Sequence, residues 1–209
     1  MKLVKKTTPP PQGTGSDLHP DRNSVLILVH LQNDFCPGGA LPVKEGDTII
    51  SLINRYIGLF RSQGLPVIAT RDWHPSNHCS FKEQGGIWPV HCVQGSRGAQ
   101  FHADLHIPTG SLIISGATNP KQEAYSSFDG TSLNDHLEDM GAKILYIVGL
   151  ATDYCVKQTV LDACKLGYRV VVLEDAVRGV NLQPGDSQRA LQEMSEAGAL
   201  QATAKDLGL

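Results

Sequence analysis

Apolar residues fall along the chain in short unbroken runs rather than in alternation with polar ones. "VLILV" (25–29), "PVIATR" (66–71), "SLIIS" (111–115), "KILYIVGL" (143–150) and "RVVVLEDA" (169–176) read as strands, and "ALQATA" (199–204) as a last edge strand. Near-continuous apolar strands are those of a parallel sheet covered on both faces. Between them the apolar spacing turns helical. "GDTIISLINRYIGLFRSQG" (46–64) ends on a glycine, "TSLNDHLEDMG" (131–141) starts on Thr and stops on Gly, and "TDYCVKQTVLDACKLG" (152–167) and "DSQRALQEMSEAG" (186–198) follow. Asp186 reads as the N-cap of that last helix. Strand–helix alternation with short connections predicts a three-layer α/β/α sandwich around a six-stranded, mainly parallel sheet. Ligands bind such sheets beyond the carboxyl ends of the strands, here after Val29, Thr70, Ser115 and Val148.

The size and balance of the chain restrict the partners. Its 209 residues suit one domain, taken as 24–209, behind a Pro-, Gly- and Thr-rich arm over 1–23 that reads as flexible. A net charge of -3 and no long basic run leave no footprint for nucleic acid. No apolar run is long enough to span a bilayer, and the basic start lacks the apolar centre of a secretory signal, which places the protein in the cytoplasm. The cysteines, Cys36, Cys79, Cys92, Cys155 and Cys164, are odd in number and form no CxxC pair, so they read as reduced thiols.

Three groups of residues carry candidate chemistry. Cys155 stands where the strand 143–150 gives way to a helix, and unpaired amides in a first helical turn favour a nucleophilic thiolate. The alternative is a small buried core residue, which Cys164 also suits. Asp72 and His74 lie two apart on an extended segment and so point the same way, and "WPVHC" adds His91. One carboxylate and two imidazoles with a position open to water would hold zinc, iron or manganese, with His78 as a fourth ligand or a supporting partner. Hydrogen-bonded loop histidines are the plainer alternative. Phe35, Trp88 and Tyr125 stand beside turns and matter to function only if they surround the cavity of Cys155.

The segments "QNDFCPGGALPV", "TRDWHP", "GGIWPVHCVQGSRGAQFH", "AYSSFDGTSL", "VGLATDYCVKQTVLDA" and "RGVNLQPGDSQRALQEM" resemble the nicotinamidases (pyrazinamidases) of the isochorismatase-like cysteine hydrolases. The resemblance covers about residues 24–200 in the right order and spacing. It implies hydrolysis of nicotinamide to nicotinate and ammonia, a step of NAD salvage, through a thioester on Cys155. It also implies an oxyanion hole from the amides of Ala151 and Cys155, beside a cis peptide between Leu150 and Ala151. Asp72, His74 and His91 would hold one divalent metal ion that binds the pyridine nitrogen or its water, and Phe35, Trp88 and Tyr125 would line the ring pocket. A small amide is then the expected partner, and assembly into a homo-oligomer stays open.

The chain departs from that family at two positions. Members carry "VDxQNDF" with the Asp as general base, whereas this chain reads "VHLQNDF", so His30 takes its place. Members also carry a Lys at the end of the third strand; counting back from Asn119 and Tyr125 places Gly116 there, or Ser115 with a one-residue shift. The two changes remove opposite charges together, which spares the site an unpaired buried ion. In one reading His30 replaces the Asp as base, since an imidazole is suited to proton transfer near neutral pH. In the other the chain is a catalytically impaired relative that binds metal and a small ligand. Hydrolysis of a different small amide is a further variant.

Overall fold

The computed structural model describes residues 18–209; most of the expected N-terminal arm, residues 1–17, lies outside the described residues. Six strands, β1 (Ser24–Val29), β2 (Val67–Asp72), β3 (Leu112–Gly116), β4 (Ile144–Leu150), β5 (Arg169–Arg178) and β6 (Leu200–Ala202), form one sheet in the order β3-β2-β1-β4-β5-β6. Every pairing is parallel. The inner strand β1 is buried at all of its positions, which is why its sequence shows no alternation.

Helix α1 (Ile50–Ser62) packs Ile50, Ile53, Tyr56, Ile57 and Phe60 against Leu26, Leu28, Tyr146 and Val148 on one face of the sheet. On the other face α2 (Leu133–Asp139), α3 (Lys157–Lys165) and α4 (Asp186–Glu196) cover Val25, Ile27, Leu145, Ile147 and Val170. The result is the three-layer sandwich expected from the alternation of elements. The topology switches direction beside β1, whose neighbours are β2 and β4, and the carboxyl ends of these strands open together on one edge.

Several boundaries differ from the sequence reading. Residues 46–49 form turns ahead of α1 rather than its first turn. The helix expected from 152 begins with a wider π-helical turn over Thr152–Val156 before α3 starts. Asp186 is the first residue of α4 instead of its cap; the capping position is Gly185, at φ +85°, and the Asp186 carboxylate accepts the Gln183 N–H at 2.7 Å. Residues 18–23, assigned to the arm by composition, are tied down: the Tyr146 hydroxyl donates to the Leu18 carbonyl at 2.7 Å, and Asn23 accepts the Lys143 and Ile144 amides.

Gly149 has a specific steric reason. Its φ is +120°, and a Cβ there would stand 2.0 Å from the Val29 carbonyl oxygen. Only glycine lets β4 run this close to β1 as both approach the site.

Candidate active site

The ends of β1, β2 and β4 deliver the candidate residues. His30 follows β1 directly at φ +48°, a left-handed conformation that His adopts more readily than most residues. Its backbone N–H is held by the Thr70 carbonyl at 3.1 Å. Gln32, fully buried, fastens β1 to β2: its side-chain amide donates to the Asp72 and Ala99 carbonyls at 2.8 and 3.0 Å and accepts the Asp72 N–H at 2.8 Å. The last residue of β2 is Asp72, which pairs in register with Gly116 at the end of β3.

Asp72, His74 and His91 are all buried, and one donor atom from each lies within 4.8 Å of the others. His74 Nε2 stands 3.7 Å from Asp72 Oδ2, and both ring nitrogens of His74 are buried with no hydrogen-bond partner. Buried, unpartnered imidazole nitrogens beside a carboxylate are what a cation would satisfy, so these residues fit a divalent ion. His91 Nδ1 bonds the Pro89 carbonyl at 2.8 Å, which leaves Nε2 as the free donor. His78 is differently placed. Its Nδ1 meets Ser80 Oγ at 2.8 Å and its Nε2 the Gln122 carbonyl at 3.1 Å, so both nitrogens are engaged and it supports His74, 4.3 Å away between ring centroids.

Burial lowers the proton affinity of His30 and His91 and outweighs the nearby Asp72, leaving both imidazoles neutral at pH 7. For Asp72 burial pushes the other way, but His30, His74 and His91 outweigh it and hold the carboxyl below the usual range.

Cys155 lies in the π-helical turn after β4 and is 7% exposed, at the floor of a cleft of about 450 Å³ including its open mouth. The peptide between Leu150 and Ala151 is cis, and the backbone amides of Ala151 and Cys155 stand close enough to the thiol to favour its charged form. The expected thiolate is not the resting state. Burial, then the Asp72 charge, pushes the thiol well above its ordinary pKa despite those two amides. The helix start alone does not overcome a low-dielectric pocket beside a carboxylate.

Phe35, Trp88 and Tyr125 line this same cleft. Trp88 Nε1 donates to the Tyr125 hydroxyl at 2.9 Å, and Trp88 meets Tyr154 edge-on at 5.0 Å. Phe35 packs edge-on against His91 at 5.6 Å. Tyr154 and Glu123 also line the cleft, and the sequence reading missed both. Glu123 is exposed at the cleft, and desolvation of its carboxyl raises its pKa. Its place two residues before Tyr125 on an extended segment was the available signal. His30 is not in the cleft wall; it sits beneath, with a donor nitrogen within 4.8 Å of donor atoms on Cys155 and Asp72.

Two carboxylates, Asp34 partly buried and Asp153 buried, shape the surrounding loops. Asp34 accepts the Ala40 and Cys92 amides at 3.1 and 2.7 Å, fixing the loop that carries His91. Asp153 accepts the Val180 and Asn181 amides at 2.9 and 2.7 Å and so seats Val180 in the cleft wall.

A buried thiol in an aromatic-lined cleft, beside the main-chain amides of Ala151 and Cys155, is suited to acyl transfer from a small planar amide or ester. By class this is a hydrolase on a doubly covered parallel sheet. Residues 24–206 match the Isochorismatase domain family. A nicotinamidase of Escherichia coli is 48% identical over 202 residues, covering 87% of this chain and 95% of its own. The pyrazinamidase of Pyrococcus horikoshii, solved in complex with zinc, is 51% identical with a TM-score of 0.83, covering 87% of this chain and 99% of its own. PnC1 from L. infantum, solved in complex with nicotinate, is 37% identical with a TM-score of 0.83, covering 90% and 97%. The chain belongs to the isochorismatase family, among its nicotinamidase-like amide hydrolases.

Proposed function

We propose that this protein hydrolyses nicotinamide, or a closely similar aromatic amide, to the carboxylic acid and ammonia, with Cys155 as nucleophile and His30 as base. The observation that carries the reading is the buried thiol of Cys155, which lines the aromatic cleft together with Ala151. The ring of the substrate lies among Phe35, Trp88 and Tyr125, and its carbonyl oxygen points to the Ala151 and Cys155 amides. Neutral His30, through a small rotation or one bridging water, takes the thiol proton. The sulfur attacks the carbonyl carbon, the C–N bond breaks, and the nitrogen leaves as ammonia carrying the proton held by His30. Water then cleaves the thioester and frees the acid. A divalent ion held by Asp72, His74 and His91 would supply a Lewis-acid anchor for the ring nitrogen of the substrate.

The test is ammonia release from nicotinamide by metal-replete protein between about pH 5 and pH 9, beside Cys155→Ala. Release should vanish in that variant and fall about 10²–10⁴-fold in His30→Gln, the usual worth of a positioned base. Because burial lowers the pKa of His30, the rising limb should lie below about 6.5, the ordinary imidazole value. A rate in His30→Gln equal to wild type would remove His30 from the reaction.

One feature favours a second reading, that of a ligand-binding protein with impaired turnover. The Cys155 thiol is pushed up, and among the described residues no lysine or arginine lines the cleft to bring it down. Saturable nicotinamide binding by calorimetry with no ammonia released would establish that reading.

A further inference from the structure

The carboxylate of Asp72 faces two donor groups. Its Oδ2 lies 3.7 Å from His74 Nε2; its Oδ1 lies 3.5 Å from His30 Nδ1. Donor atoms of His30, Asp72 and Cys155 lie within 4.8 Å of one another, and all three residues are buried. His30 is 2% exposed, and its Nδ1 has no hydrogen-bond partner. Donors about 2.0–2.1 Å from a tetrahedral zinc stand roughly 3.4 Å apart, so the His30–Asp72 separation already matches one edge of such a site.

We propose that His30, Asp72 and Cys155 form a second divalent-metal site, selective for zinc-like ions, that masks the nucleophile. Thiolate, imidazole and carboxylate are together a zinc-type donor set, unlike the sulfur-free set of Asp72, His74 and His91. As the ion enters, the Cys155 thiol gives its proton to solvent and the sulfur lone pair forms the metal–sulfur bond, with no change of oxidation state. The bound cation offsets the burial that otherwise keeps the thiol protonated. Asp72 can bridge the two ions, one oxygen to each. A carboxylate at position 30 would crowd a third negative group against Asp72 and Cys155; the imidazole supplies a neutral donor instead. Occupation of this site and attack by Cys155 exclude each other, so metal beyond the first ion silences any turnover. The site itself does not depend on turnover.

The discriminating measurement is cobalt(II) titration of the full chain by absorption spectroscopy. A sulfur-to-cobalt charge-transfer band reports a thiolate ligand, and its loss in Cys155→Ser assigns that ligand to Cys155 rather than to Cys36, Cys79, Cys92 or Cys164. Wild type should show that band and bind two ions per chain, matching the two donor groups. Cys155→Ser and His30→Ala should each lose the band and keep one ion, whereas His74→Ala should keep the band. In the unmutated protein, zinc should protect Cys155 from iodoacetamide, located by peptide mapping, and a chelator should restore labelling. A wild-type spectrum without the band, or one that Cys155→Ser does not change, overturns the site.

Discussion

At position 116 the missing side chain leaves usable space. Gly116 pairs with Asp72, so a side chain there would rise on the same face of the sheet. A Cβ at Gly116 would meet nothing closer than the Arg71 carbonyl oxygen and Thr131 Cγ2, both at 3.9 Å. Gly116→Lys should therefore fold, and its ammonium should lie between Asp72 and the thiol. An adjacent cation favours the thiolate, and one pKa unit is a tenfold change in its population. Iodoacetamide labelling of Cys155 in metal-free protein near pH 7 should quicken about tenfold or more. An unchanged rate would mean that the ammonium does not reach the thiol. The grouping of Asp72, His74 and His91 was legible from the two-residue spacing at the end of β2 and from "WPVHC", and the position of Cys155 from the strand that precedes it. The protonation of Cys155 was not, since its sign is decided by burial and by Asp72, which comes from a different strand.

Among the elements, the join between β1 and β2 holds the site together. Gln32 pairs both backbone groups of Asp72 and the Ala99 carbonyl, with no exposure to water. Gln32→Leu keeps much of the volume but leaves those groups buried and unpaired, each at about 1–3 kcal/mol. Unfolding in urea should show a loss of about 3 kcal/mol or more, and zinc affinity should fall about 10–100-fold, as when support behind a metal ligand is removed. A stable variant with unaltered affinity would show that Asp72 needs no such brace. The strands were read to within a residue or two because doubly buried strands are compositionally plain. The helix starts were less legible. Residues 46–49 carry helical apolar spacing yet form turns, and the π-helical turn over Thr152–Val156 arises where the chain must bring Cys155 under the cleft. Tyr154 and Glu123 escaped notice because the facing of a loop side chain is set by packing across elements.

Across the whole molecule, the buried histidines couple stability to pH. Burial lowers the pKa of His30, His78 and His91 in the fold, while each regains its ordinary value near 6.5 in the unfolded chain. The unfolded chain thus binds more protons in the window below about 6.5, and acidification draws the equilibrium towards it. Asp72, depressed in the fold, adds to the loss at still lower pH, as the pH approaches its folded value. The stabilisation from these groups is complete above about pH 6.5 and declines as pH falls. Metal-free protein should show a melting temperature that is level from about pH 8 to pH 7 and drops steadily towards pH 5. Zinc binds only the folded cradle and only deprotonated ligands, so it should raise the melting temperature strongly near pH 7.5 and little near pH 5. The same pH slope with and without zinc would mean that the acid-sensitive groups are not the metal ligands. A level melting temperature down to pH 5 in the metal-free protein would mean that these imidazoles gain protons without leaving the fold.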